Sequence, residues 1–167
     1  ISSATVSNIK DNFYTGKAHT QDIAVRINEK TLEKDKDYTV KYSNNKEVGT
    51  ATVTITGKDK YTGTIKKQFK ISIAKSSSYT INGMKYKVTN AKIDGTGTVE
   101  LVSIGGNSKK STIVVPNTIK ISNKTFRVSS IGSKVFRKNT YVKKAVLGKY
   151  ITNIGQESFY GCNQLKT

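Results

Sequence analysis

A repeat of 23 residues near the end of the sequence restricts the fold more than any other feature of this chain. Three pairs of apolar residues hold the same place in both copies, and these are Ile131 and Ile154, Phe136 and Phe159, and Val142 and Leu165. A fixed period of this length is typical of a solenoid, in which each repeat buries its apolar side chains by stacking on a neighbour. We therefore predict that the members of each pair lie one above the other in successive coils, with both phenylalanines buried.

Positive charge is spread unevenly over the 167 residues, whose net charge is +18. Residues 1–74 hold 13 Lys and Arg against 8 Asp and Glu, whereas residues 75–167 hold 16 against 3. A field of this sign attracts nucleic acid, anionic lipid or anionic cell-wall polymer. Most of the lysines alternate with apolar residues, which favours solvent-facing strand positions that serve solubility. Nucleic acid is not expected as a partner, because no recognition-helix or aromatic-basic motif accompanies the charge.

Five lysines are candidates for a polyanion-binding surface, because they fall on or beside the repeated coils. They are Lys134, Lys138, Lys143, Lys144 and Lys149. Stacked repeats bring equivalent positions into rows about 5 Å apart, so we expect these charges to line up on one face.

Composition also limits the setting in which the chain works. No run of about 18 apolar residues occurs, so we expect no transmembrane helix and no membrane insertion. The chain begins with Ile1 and lacks the apolar core of a signal peptide, which indicates a piece of a longer protein. The single cysteine, Cys162, forms no intramolecular disulfide and leaves the compartment open.

Residues 1–74 are predicted to form short β-strands separated by turns. Short strands are expected over Ile23–Ile27, Tyr38–Tyr42, Ala51–Thr56 and Ile65–Ile73, and apolar and polar residues alternate along the second and third of them. Several short alternating strands at this spacing favour an immunoglobulin-like (Ig-like) β-sandwich.

These residues also resemble the bacterial Ig-like modules of Gram-positive surface proteins. The resemblance rests on Tyr14-Thr15-Gly16-Lys17, on the run from Asp37 to Asn45, on the run from Gly49 to Gly57 and on Tyr61-Thr62-Gly63-Thr64. It covers nearly the whole segment and implies a spacer or stalk module without chemistry of its own.

A second module is predicted for residues 75–167, after the serine-rich linker Ala74–Ser78. Its first part is a β-hairpin over Tyr79–Val88, with Asn82-Gly83 as a tight turn. Forty residues later Ile121, Phe126 and Val128 repeat the places of Ile81, Tyr86 and Val88. We expect these strands to form a β-rich cap, with Ile113-Val114-Val115-Pro116 as the first strand of the solenoid.

The repeats resemble the BspA-type leucine-rich repeats of bacterial surface proteins. The positions that carry this resemblance are Ala145, Leu147, Ile151, Ile154-Gly155, Phe159, Gly161-Cys162 and Leu165. The preceding repeat departs from the pattern, because a hairpin-like insertion (Lys120–Ser130) interrupts it and Arg137-Lys138-Asn139 replaces the glycine-cysteine step. We expect about two repeats, with an array cut short at Thr167.

Catalysis is not expected, because no set of residues is placed to converge on a substrate. His19 lies in a polar loop, and Cys162 lies in a repeat, where we expect it to stack inward as a small apolar side chain. No zinc-binding or phosphate-loop spacing occurs, and no cofactor or metal is predicted. Glu33, Asp35 and Asp37 lack EF-hand spacing and are interpreted as turn residues. A self-formed Lys–Asn bond stays an alternative, although it needs a buried lysine, asparagine and acid side by side.

The two resemblances imply a mainly β, non-catalytic fragment of a secreted bacterial cell-surface protein. An Ig-like β-sandwich over residues 1–74 would act as a spacer, and the cap and repeats over residues 75–167 would serve adhesion or ligand binding. The implied partner is a surface protein or glycan of the host or of bacteria, and we expect a monomer. Two alternatives stay open, a wall-associated module that holds anionic wall polymer and a non-catalytic targeting region of a surface hydrolase.

Overall fold

A computed structural model describes residues 1–166, which form β-strands and turns without an α-helix. The chain divides into two compact units, the first comprising Ile1–Ile73 and the second beginning at Ala74. Each unit contains its own sheets and its own buried side chains.

The first unit is built from two β-sheets. Its strands are β1 (Thr5–Ser7), β2 (Asn12–Phe13), β3 (Ala24–Ile27), β4 (Lys30–Thr31), β5 (Tyr38–Ser43), β6 (Gly49–Gly57) and β7 (Thr64–Ser72). One sheet has the order β1–β3–β4 and is antiparallel. The other has the order β2–β7–β6–β5, in which only the short pair β2–β7 is parallel.

Side chains from both sheets meet in one buried cluster. Val25 of β3 packs there with Tyr38 of β5 and with Val53 and Ile55 of β6. In β6 the buried residues alternate with half-buried or exposed threonines, because successive side chains of a strand point to opposite faces. The predicted alternation of buried and outward-facing residues is confirmed in this strand.

The acidic residues before β5 form a turn. A carboxylate oxygen of Asp37 accepts a hydrogen bond from the backbone N–H of Glu33 at 3.0 Å, and Lys36 pairs with Glu33 at 3.0 Å. Asp35 adopts a left-handed conformation with φ of 67°, which aspartate tolerates better than most residues. The interpretation of Glu33, Asp35 and Asp37 as turn residues is confirmed. Residues 1–166 contain no group of three or more His, Cys, Asp or Glu side chains that could hold a metal ion.

The second unit combines antiparallel hairpins with parallel pairs. Its strands are β8 (Ser78–Ile81), β9 (Met84–Asn90), β10 (Thr98–Ser103), β11 (Thr112–Val114), β12 (Thr118–Ile121), β13 (Lys124–Ile131), β14 (Lys144–Val146) and β15 (Asn153–Ile154), with a 3-10 helix at Gly105–Asn107. The larger sheet has the order β12–β13–β10–β9–β8, and β15 also pairs with β13. The hairpins β8–β9 and β12–β13 are antiparallel, whereas β10–β13, β13–β15 and β11–β14 are parallel.

Parallel pairing stacks three coils, which we name by their residues: the first coil (101–115), the second coil (131–147) and the third coil (154–166). Leu101 pairs with Ile131, and Ile131 pairs with Ile154. Ile113 of the first coil pairs with Ala145 of the second. The backbone N–H of Lys166 continues this side of the stack by donating to the carbonyl of Lys143 at 3.0 Å. The described residues therefore contain one more stacked coil than the 23-residue period reveals.

The repeated aromatic pair is stacked as predicted. The ring centroids of Phe136 and Phe159 lie 4.6 Å apart, with an angle of 11° between the ring planes. A glycine allows the coils to approach, since a Cβ atom on Gly155 would lie 2.4 Å from the backbone nitrogen of Ser133. The close approach of successive coils therefore explains why glycine follows isoleucine in the repeat.

Burial differs from the prediction in the third coil. Phe136 is 1% exposed, but Phe159 is only half-buried, and Ile154 is 47% exposed. The second coil lies between two neighbours, whereas within residues 1–166 no further coil covers the third. The expected end of the array at Thr167 lies outside the described residues.

Candidate binding surface

The five candidate lysines are all exposed and all belong to one stretch of the chain. Lys134 and Lys138 lie in turns on either side of Phe136, and both have a positive φ. Lys143 directly precedes β14, Lys144 is its first residue, and Lys149 lies in the turn that follows it. They therefore surround the second coil instead of occupying successive coils.

The expected row of lysines from coil to coil is not formed at Lys134 or Lys138. Gly161 packs on Lys138, because a Cβ atom on Gly161 would lie 3.2 Å from the Cγ atom of Lys138. The residue one repeat after Lys134 is Glu157. Lys143 alone among those five is followed one repeat later by another lysine within the described residues, Lys166. Binding of a polyanion by these lysines stays a prediction.

Of the five predicted lysines, Lys138 lines a groove between the first and second coils together with two further basic side chains. We call it the basic groove; it has a volume of about 320 Å³. Its lining residues are Ile104, Ser108, Lys109, Val135, Phe136, Arg137, Lys138, Asn139, Thr140 and Tyr141. Three of them are basic and none is acidic, and Tyr141 is 52% exposed. Clustered cations of this kind raise the local concentration of anions.

Asn139 fixes the shape of this groove. Its side-chain oxygen accepts hydrogen bonds from the backbone N–H groups of Tyr141 and Val142 at 2.9 Å each. Its side-chain amide donates to the carbonyl of Ser108 in the first coil at 2.7 Å. Asn139 therefore joins two coils, and Lys109 and Lys138 lie on the same groove as a result.

Arg137 extends the basic surface towards the third coil. Its Nε atom lies 3.0 Å from the carboxylate of Glu157, and its guanidinium carbon lies 5.7 Å from the ring centre of Tyr160. Tyr160 is exposed and lines an open hollow of about 600 Å³ together with Lys138 and Asn163. Arginine over an aromatic face gains about 0.5–1 kcal/mol at exposed sites, so this contact orients both side chains.

A second basic-aromatic cluster surrounds Tyr150. The guanidinium carbon of Arg127 lies 5.0 Å from the centre of the Tyr150 ring, and Nζ of Lys149 lies 5.2 Å from it. The backbone N–H of Lys149 donates to the side chain of Asn117 at 2.8 Å, which holds this turn against the preceding coil. Lys149 is the one predicted site residue that lies in this cluster.

The residues considered for chemistry have structural partners. Nε2 of His19 lies 3.4 Å from Oγ1 of Thr15. The thiol of Cys162 is half-buried and donates to the carbonyl of Phe136 at 2.9 Å, so it packs against the preceding coil.

The Lys–Asn bond lacks its buried trio in the part of the chain that is described. The buried polar residues among residues 1–166 are Asn107 and Ser158, and no lysine in this part of the chain is buried. The amide of Asn107 instead donates to the carbonyl of Asn82 at 2.9 Å. No helix among residues 1–166 is long and apolar enough to cross a membrane.

No protein-family model and no curated protein matches this chain. Among solved structures, it is similar to a leucine-rich cell surface protein from Faecalibacterium prausnitzii, at 25% identity with a TM-score of 0.46. It is also similar to a leucine-rich repeat protein from Bacteroides capillosus, at 20% identity with a TM-score of 0.43, and to the pneumococcal vaccine antigen PcpA, at 16% and 0.38. The three similarities cover 54%, 54% and 55% of this chain, and 22%, 62% and 37% of those proteins.

Proposed function

We propose that this chain is the non-catalytic ligand-binding part of a bacterial cell-surface protein, with an extracellular anionic polymer as its ligand. The observation that carries the proposal is the basic groove. There, Lys109 from the first coil and Lys138 from the second line one cavity whose lining residues include no acid. The ligand class is an anionic glycan or an anionic wall polymer, because both present repeated negative charges to such a groove.

The domain roles belong to the same proposal. The first unit is an Ig-like spacer, which is supported by two sheets that share one buried cluster. The second unit is a BspA-type repeat module, which is supported by the stacked isoleucine-glycine steps and phenylalanines. The two units meet at the start of the serine-rich linker Ala74–Ser78, and limited proteolysis is expected to cut first within this linker.

The proposal is tested with paired lysine variants of the whole chain on heparin and on purified Gram-positive cell walls. Replacing Lys109 and Lys138 with Gln removes two cations from the basic groove. Replacing Lys85 and Lys87 with Gln removes two exposed cations from β9 and serves as the matched control. Only the groove variant should elute from heparin at lower salt, and its slope of log Kd against log salt should fall by about one to two.

The heparin and cell-wall assays distinguish a wall polymer from a glycan as the ligand. Loss of wall binding with unchanged heparin retention indicates wall polymer, and the reverse indicates a sulfated or uronic glycan. Equal loss in the groove variant and the control would contradict the groove and leave the charge as a general aid to solubility. Binding that tolerates salt and survives both variants would instead support adhesion to a protein partner.

Two of the lysines predicted from the sequence provide a second comparison. Lys143 precedes β14 and Lys144 is its first residue; both lie outside the basic groove, and they are replaced with Gln in a third variant. If that variant loses more affinity than the groove variant, the polyanion contacts the strand side of the coils. A targeting role beside a hydrolase would use the same surface and would be recognised from the neighbouring domains of the full-length gene.

A further inference from the structure

Strand β11 has one paired edge and one open edge. It pairs with β14 alone, and no other strand within residues 1–166 joins it. Towards β14, the Ser111 carbonyl accepts from the N–H of Lys144 at 3.0 Å, and the N–H of Val115 donates to Val146 at 2.8 Å. Backbone groups alternate between the two edges of a strand, so the N–H and C=O groups of Thr112 and Val114 are directed to the open edge.

A groove runs along this open edge. Two adjoining cavities of about 360 Å³ and about 240 Å³ share Asn82, Met84 and Val114 as lining residues. One wall is therefore β11, and the other is the turn of the β8–β9 hairpin. The larger cavity continues past Tyr86 and Ile119, so apolar side chains form part of its lining.

The hairpin wall is held in place by buried contacts. The amide of Asn107, which is buried, donates to the carbonyl of Asn82 at 2.9 Å. A Cβ atom on Gly105 would lie 2.4 Å from the carbonyl oxygen of Gly83, so the turn is packed closely against the 3-10 helix. A groove with a fixed wall costs little ordering when a ligand enters it.

Charge and apolar exposure indicate what fits this groove. Lys110 lines the smaller cavity and Lys120 the larger one, and neither lining contains an acidic residue. Val114 is 56% exposed between the two cavities. A complementary segment therefore presents backbone hydrogen-bonding groups and apolar side chains in its middle and negative charges towards its ends.

We propose that an extended acidic peptide segment of a partner protein adds as a strand to the open edge of β11. Its backbone pairs with Thr112 and Val114, its apolar side chains lie over Val114 and Met84, and its acidic ends meet Lys110 and Lys120. Such addition of a strand gives affinity through main-chain hydrogen bonds and specificity through the flanking pockets. The groove is a different surface from the basic groove, and the proposal is independent of polymer binding.

The test uses a defined probe and the whole chain. The probe is a fluorescein-labelled, end-capped peptide in which valine alternates with threonine and two glutamates stand at each end. Its twin has two central residues replaced by proline, which removes backbone donors. The probe should bind saturably in fluorescence polarisation and slow hydrogen exchange at the Thr112 and Val114 amides, while the twin should do neither. Equal binding of probe and twin would overturn the proposal.

Two matched variants locate the site. Val114→Glu places a negative charge in the groove and should weaken binding of the probe by about tenfold or more. Val146→Glu is the control, because Val146 is the register partner of Val114, is 41% exposed and lines neither cavity. Equal effects of the two variants would contradict binding at β11.

Further variants test whether the partner is acidic and whether a second copy of the chain occupies the edge. Replacing Lys110 and Lys120 with Gln should weaken binding and its salt dependence, whereas replacing Lys85 and Lys87 should not. Binding that is unaffected by Lys110 and Lys120 would contradict an acidic partner. A concentration-dependent dimer of the free chain that Val114→Glu dissolves would show that a second copy occupies the edge, which also overturns the proposal.

Discussion

The second and third coils carry the same repeated pattern but differ in burial. Ile131 is 0% exposed in the second coil, whereas Ile154, its register partner in the third, is 47% exposed. Phe136 and Phe159 differ in the same direction although their rings are stacked. The local sequence fixes which side chains point into the stack, but the neighbouring coil decides whether they leave water. In a stacked architecture, burial is a property of position in the stack.

At its other end, the parallel ladder of β10, β13 and β15 is covered by a hairpin instead of a coil. Strand β9 pairs with β10 in antiparallel fashion and covers the edge at which the parallel ladder begins. Tyr86 and Val88 of β9 are buried with Leu101 of β10. A hairpin therefore provides at this end the cover that a further coil would provide within the stack.

The largest expected difference concerns the stacked phenylalanines. Phe136→Ala should lower the free energy of unfolding of the second unit by about 3–5 kcal/mol, because it opens a cavity in the coil that has a neighbour on both sides. Phe159→Ala should cost about 1–2 kcal/mol, because its ring already contacts water. Urea titrations followed by NMR signals of the second unit measure both values. Equal losses would mean that the third coil is covered as well as the second.

A smaller effect is expected at the hairpin end. Burial raises the pKa of Tyr86 from its ordinary value of 10 to about 12, so the folded state favours the neutral phenol. This contribution to stability is complete below pH 10 and is lost as the pH rises towards 12, by about 2 kcal/mol. Tyr86→Phe should therefore lose less stability than the parent chain between pH 10 and 12. Parallel stability curves for the two proteins in that range would contradict the burial of this phenol.

The smallest difference tests the paired isoleucines. Ile131→Val removes one buried methylene and should cost about 1 kcal/mol. Ile154→Val removes the same group from an exposed position and should change the free energy of unfolding by less than about 0.5 kcal/mol. Hydrogen exchange of the β13 amides reports both variants on one scale. A reversal of this order would require an unseen cover over the third coil.

Period and alternation predicted much of the fold. The strand predicted over Tyr38–Tyr42 is β5 (Tyr38–Ser43), and the hairpin predicted over Tyr79–Val88 is β8–β9. The stacking of Phe136 on Phe159 followed from the period alone. The parallel pair of Leu101 with Ile131 was missed, because the two residues are 30 positions apart and do not share the 23-residue period.

The candidate surface was harder to predict. Lys109 precedes the repeats in sequence, and contacts such as the hydrogen bond from Asn139 to Ser108 are needed to show that its segment borders the second coil. One signal was available, because Arg137 and Tyr160 are separated by 23 residues and therefore meet on successive coils. The number of charged residues showed which half of the chain is basic. Which basic side chains lie close together depends on contacts between residues that are distant in sequence.

The hairpin between the first and second coils has a consequence for diversification. Ile113 and its partner Ala145 are 32 residues apart, whereas Ile131 and Ile154 are 23 apart, yet both pairs are parallel neighbours. The nine additional residues fold as β12 and the start of β13, where Ile121 and Phe126 are buried, and the parallel pairing of the coils continues on either side. A related chain can therefore exchange this excursion for one that presents a different surface, as long as the new hairpin still supplies apolar side chains at the places of Ile121 and Phe126.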